Sequence, residues 1–96
     1  MSVRLTAAIW EFGPENIRQR FFLLWLAEQA GGDGEWIAIG NLHSIAACAQ
    51  KIRMEEKSVI RLINELEGDG WIDIGQITDS SMPFRINVER LTWKSR

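Results

Sequence analysis

A single cysteine, Cys48, and a single histidine, His43, exclude two kinds of staple at once. No internal disulfide can form, and the usual ligand set of a zinc site cannot be assembled. No apolar run approaches the roughly 20 residues of a membrane-spanning helix. The longest, "FFLLWLA" from Phe21 to Ala27, has the length of a core helix segment. The amino-terminal "MSVRLTAAIWEF" contains neither the apolar stretch nor the cleavage site of a signal peptide. These absences point to a reduced, cytoplasmic protein with no membrane role. Repeats, low-complexity segments and linkers are missing as well. Tyrosine is absent beside five tryptophans. Trp25 and Trp36 sit in patterns that would bury them. Trp10 and Trp93 lie near the two ends, placed to seal the base of the domain or to pack on a second copy. A homodimer through the Trp10/Trp93 region is therefore one expectation.

Catalytic machinery is missing too. His43 stands beside Ser44, but no orienting acid falls at a useful spacing, so it reads as an exposed or capping residue. Cys48 lies among alanines and isoleucines and reads as core. The stretch "GGDG" follows a helical pattern rather than a strand and carries no lysine, which excludes a phosphate loop of the usual kind. The expectation is a non-enzyme with no cofactor and no metal. The net charge of −2 is unusual for a nucleic-acid binder. It is a weak exclusion, because one face can be basic while the rest is acidic.

What is present is the pattern of one small domain over residues 1–96. Val3–Phe12 reads as an amino-terminal segment whose pattern leaves its form open, with an extended chain as the expectation. Pro14 and Glu15 suit the first turn of a helix. Ile17, Phe21, Leu24, Trp25 and Glu28 then share one face, with Phe22, Leu23 and Leu26 as a second apolar flank. Gly31, Gly32 and Gly34 end this central helix. "EWIAI", Glu35–Ile39, reads as a strand, and Gly40 and Asn41 as a turn into a second helix from Leu42 to about Ile52. Its inward stripe is Ile45, Cys48, Ala49 and Ile52. After a turn at Arg53 and Met54, a third helix runs over about Glu55–Glu67, with Val59, Leu62, Ile63 and Leu66 as its core face. "GDG" stops it. "WIDIGQI" and "FRINV" both alternate and flank "TDSSMP", the signature of a β-hairpin. The predicted class is α+β. The element order is that of a small winged helix-turn-helix of three helices, a short strand and a C-terminal β-hairpin wing. The helix-turn-helix falls at about 42–67 and the wing at about 71–88.

The third helix carries the chemistry. At about 100° per residue, the side opposite its core face holds Lys57, Arg61 and Asn64. Those residue types grip phosphates and read purine edges in a major groove. Lys57 and Arg61 repel each other at i, i+4, which an anionic partner would explain; a solvated face with Arg61 paired to Glu65 is the bland alternative. Glu55 and Glu56 have a structural explanation, since carboxylates stabilise a helix start. Lys51 and Arg53 flank the turn within reach of a backbone phosphate. The wing offers the hydroxyls of Thr78, Ser80 and Ser81, and Arg85 as its one cation.

Three stretches carry a family resemblance: "AAIWEF", "FFLLWLAEQAGGDGEW" and "SIAACAQKIRMEEKSVIRLINELEGDGWI". Over roughly Thr6–Ile74 the chain resembles the winged helix-turn-helix domain of phage and plasmid replication proteins, of the replisome-organiser and replication protein O-like type, and of small phage regulators. The small pair Cys48-Ala49, the turn Arg53-Met54, the pair Ser58-Val59 and Arg61 match its pattern. With the residues read above, the resemblance makes double-stranded DNA the expected partner; Lys57, Ser58, Arg61 and Asn64 would then enter the major groove, and Lys51, Arg53 and the Thr78–Ser81 loop would touch phosphates. The resemblance implies a role in replication initiation or transcription regulation. Two positions depart from the pattern. Arg53 stands where glycine is usual, so a positive φ there would be strained. Glu55 stands where a small hydroxyl residue usually caps the helix. The alternative expectation is a winged helix used as a protein-interaction or dimerisation adaptor, holding a host or phage protein.

Overall fold

A computed structural model describes residues 3–29, 39–42, 44–78 and 81–91. In chain order the elements are α1 (Val3–Phe12), α2 (Ile17–Gln29), β1 (Ile39–Leu42), α3 (Ile45–Ile52), α4 (Glu56–Gly68), β2 (Ile72–Ile74) and β3 (Met82–Ile86), then a 3₁₀ turn over Val88–Leu91. The class is α+β, as predicted. The three strands form one antiparallel sheet in the order β1-β3-β2.

The first difference from expectation is α1. Val3–Phe12 is helical, not extended. Leu5, Ala8 and Ile9 are buried and Phe12 packs against the core, a spacing of i, i+3, i+4 and i+7 that draws one helical stripe inward. Gly13 closes this helix by donating its N–H to Ile9 O (2.9 Å). A Cβ on Gly13 would stand 2.3 Å from that oxygen, so the close approach requires glycine.

α2 starts at Ile17, later than Pro14. Asn16 is its cap: Oδ1 accepts from Arg18 N (3.0 Å) and Gln19 N (3.1 Å). Pro14 is buried ahead of the helix, and its carbonyl accepts from Arg20 Nε (2.8 Å). Two apolar faces would bury the middle of α2 on most sides, and Leu24 and Trp25 do pack partly against the core, but the burial is uneven. Phe22, Leu23, Leu26 and Ala27 are buried, whereas Ile17 and Phe21 are exposed. Both stripes are apolar, so periodicity alone could not choose between them.

Of the strand expected at Glu35–Ile39, residues 35–38 lie outside the described residues, as do Gly31, Gly32, Gly34 and Trp36. Gly40 and Asn41, expected in a turn, lie in β1 opposite Phe84 and Pro83. Leu42 belongs to β1 as well, and α3 begins at Ile45. Ser44 is its cap, accepting from Ala47 N (3.1 Å). Cys48 and Ala49 are buried and Ile45 and Ile52 pack against the core, as the predicted stripe requires.

β2 and β3 pair as a hairpin, with Asp73 opposite Arg85 and Ile74 opposite Phe84. β3 starts at Met82 and is the central strand although it contains Pro83. Pro83 O accepts from Gly75 N (2.8 Å). A strand residue turns its nitrogen and carbonyl to the same neighbour, so the missing N–H faces the open end of β2 and leaves the β1 ladder intact. Val88, expected in the strand, begins the 3₁₀ turn instead. Leu5, Ile9, Leu23, Leu26, Val59, Leu66, Ile72, Met82, Ile86 and Leu91 are sealed from solvent. The core thus lies between α1, α2 and α4 on one side and the sheet on the other.

Candidate nucleic-acid interface

The candidate surface is built on α3, the turn Arg53–Glu55 and α4. Val59, Leu62, Ile63 and Leu66 of α4 are all buried. That burial fixes the rotation of the helix and sends Lys57, Arg61 and Asn64 to solvent, where all three are exposed. Among the described residues neither Lys57 nor Arg61 forms an ion pair. Glu65 Oε1 accepts from Gln19 Nε2 of α2 (2.9 Å), and no Arg61–Glu65 ion pair is present among the described residues. Ser58 is half-buried, and its N–H donates to Glu55 O (3.0 Å). It sits beside the outward stripe rather than on it.

The turn that aims α4 is closed by backbone. Arg53 N–H donates to Ala49 O with Arg53 in the left-handed region (φ 58°, ψ 49°), and Met54 N donates to the same carbonyl (3.0 Å). The conformation that the sequence marked as strained for a non-glycine residue is the one adopted. Glu55 stands at the head of α4 (φ −72°, ψ 149°) and its side chain makes no capping bond. Lys51 and Arg53 are both exposed. An open hollow of about 530 Å³ separates α3 from the start of α4, with Ala46, Gln50, Glu55 and Lys57 among its walls.

The hairpin residues are held by one another. Arg85 Nη2 bonds Asp73 Oδ2 (3.1 Å), its cross-strand neighbour, and Asn87 Oδ1 (3.1 Å). Thr78 Oγ1 and Ser81 Oγ lie 2.9 Å apart, and Ser81 N donates to Thr78 Oγ1 (3.1 Å). Ser80 lies outside the described residues, as do His43 and Trp93. Ile77 is exposed on the same hairpin.

Asn87 and Arg90 were not singled out by the sequence, yet they tie the end of α4 to the sheet. Asn87 Nδ2 donates to Gly70 O (2.8 Å) and Asn87 N to Trp71 O (2.9 Å). The Arg90 guanidinium lies over the Trp71 ring at 4.1 Å and bonds the Asp69 carbonyl. Alternating polarity placed Asn87 on the open face of a strand; that strand ends at Ile86, and the side chain folds back onto the turn instead.

Cys48 is buried in α3, and burial pushes its thiol up to about 11. Among the described residues there is no group of acidic, histidine and cysteine side chains able to hold a metal, and no helix long and apolar enough to cross a membrane. Against models of protein families, curated proteins and solved structures, the chain matches none.

Proposed function

We propose that the protein is a DNA-binding winged helix-turn-helix module of phage or mobile-element type, acting in replication initiation or transcription regulation. One observation carries the reading. α4 presents Lys57, Arg61 and Asn64 on a single solvent-facing stripe with neither cation ion-paired among the described residues. The path α2-β1-α3-α4-β2-β3 and the strand order β1-β3-β2 support the same fold assignment. Lys57 and Arg61 would meet phosphate or guanine, and Asn64 would read adenine. Lys51 and Arg53 would touch backbone phosphates beside α4.

A second reading is favoured by the wing. Arg85 is tied to Asp73, the hydroxyls of Thr78 and Ser81 bond each other, and Ile77 is exposed. A hairpin with that surface suits a protein partner better than a phosphate backbone. The adaptor reading assigns α4 and the wing to a host or phage protein.

Fluorescence anisotropy of a labelled random duplex, titrated with the protein across a salt series, separates the two. The DNA reading expects affinity that falls steeply with salt, with a slope near 0.9 per phosphate contacted. Folded protein that fails to bind at low salt overturns it.

A further inference from the structure

α2 has two apolar faces; the domain covers one fully and the other only in part, with Leu24 and Trp25 half-buried against the core. Phe22, Leu23, Leu26 and Ala27 enter the core. The opposite side carries Ile17, Phe21, Leu24 and Glu28, at steps of four, three and four, which is the spacing of a helix–helix seam. Ile17 is 51% exposed and Phe21 55%. Trp10 of α1 meets Phe21 edge-on (5.8 Å, 84°) and is itself 48% exposed. On the other flank a groove of about 320 Å³ opens toward the α3–α4 turn, walled by Phe21, Trp25, Ile52 and Met54 with Arg18 at its side. A contiguous apolar surface of this kind marks an interaction site.

We propose that this seam is the interface of a two-fold homodimer in which α2 packs antiparallel against α2 of a second copy. The charge pattern selects that occupant. An isologous interface has to be self-complementary. Arg18 borders the seam near its N-terminal end and Glu28 closes its C-terminal end, and both are exposed. With the two-fold axis between Phe21 and Leu24, each Phe21 lies across from Leu24 of the second copy, and Arg18 approaches Glu28 of the second copy twice. The helix dipoles oppose as well. A parallel pairing would set Arg18 on Arg18 and Glu28 on Glu28. A polyanion would be repelled by Glu28 and would leave Ile17 and Phe21 wet. α2 and α4 are joined by the Gln19–Glu65 bond, and Lys57, Arg61 and Asn64 are not among the seam residues.

Sedimentation equilibrium of the full chain from about 1 to 100 µM tests the proposal, a range that brackets micromolar association. The expected result is twice the chain mass for the wild type and a shift to the chain mass for Phe21→Glu and Arg18→Glu, each with an unchanged circular-dichroism spectrum because both side chains are exposed. The double variant Arg18→Glu/Glu28→Arg should recover the dimer. A wild type that stays at the chain mass at the highest concentration overturns the proposal and leaves the seam to a different protein. A dimer that survives Phe21→Glu overturns it by placing the interface elsewhere. Duplex binding through Lys57 and Arg61 is read by a separate experiment and stands or falls independently.

Discussion

Arg53 and Gly70 hold equivalent stations at the ends of α3 and α4. Each lies in the left-handed region (φ 58° and φ 82°), and each is followed by a residue whose N–H reaches back into the helix: Met54 to Ala49 O at 3.0 Å, Trp71 to Leu66 O at 2.9 Å. Glycine adopts this conformation without penalty, whereas an L side chain costs about 1–2 kcal/mol. Arg53→Gly should therefore raise stability by about 0.5–1 kcal/mol once the extra freedom of the unfolded chain is subtracted. Gly70→Ala should lower it by about 1 kcal/mol, because the new Cβ is also 3.2 Å from Arg90 Nη1. Urea midpoints of the two variants, moving in opposite directions, are the check; a loss of stability in Arg53→Gly would contradict the shared station.

The helix caps predict a second contrast. Ser44 accepts a bond from Ala47 N, while Glu55 caps nothing. Ser44→Ala should cost about 1 kcal/mol and Glu55→Ser should add about 0.5–1 kcal/mol. Thermal melts resolve both, and equal effects would mean that the two helix starts are alike in solution.

α1 is expected to be integral to the fold. Ile9 is fully buried against the core, so Ile9→Ala should destabilise by about 2–5 kcal/mol. A cost below about 1 kcal/mol, the scale of surface substitutions, would detach α1 from the core.

On duplex DNA, Lys57→Ala should weaken binding to every sequence and reduce the salt slope by about 1, while Asn64→Ala should flatten preference at one position. Arg85→Ala should leave the slope nearly unchanged, because Asp73 already holds that guanidinium. A slope that drops as far for Arg85→Ala as for Lys57→Ala would place the wing on phosphate after all.

Cys48 gives a pH dependence. Its thiol is pushed up from 9.0 to about 11 by burial. The unfolded chain releases this proton first as pH rises, so the contribution to stability is intact below about 9 and is lost progressively between about 9 and 11. Alkylation of Cys48 in the native protein should be slow and should accelerate on unfolding. Rapid native alkylation at neutral pH would show that the thiol is not buried.

The sequence by itself determined the parts in which one physical signal stood alone. The α4 pattern permits only one buried stripe, so Val59, Leu62, Ile63 and Leu66, and with them the outward direction of Lys57, Arg61 and Asn64, were legible from helical spacing. The alternation of Ile72, Asp73 and Ile74 against Phe84, Arg85 and Ile86 likewise announced the hairpin and its faces. Tertiary structure decided wherever signals competed. α2 is apolar on two sides, and only packing against α1 and α4 chose Phe22, Leu23, Leu26 and Ala27 over Ile17 and Phe21. Val3–Phe12 mixes helix formers with the β-branched Val3, Thr6 and Ile9, and burial of Leu5 and Ile9 on one stripe makes the segment a helix. Pro83 argued against a strand, and the register that turns its nitrogen past the end of β2 admits it to the centre of the sheet. The charge of Arg85 was visible in the chain, but its pairing with Asp73 required the two strands to meet, because local pattern sets which way a residue points and only packing sets what it finds there.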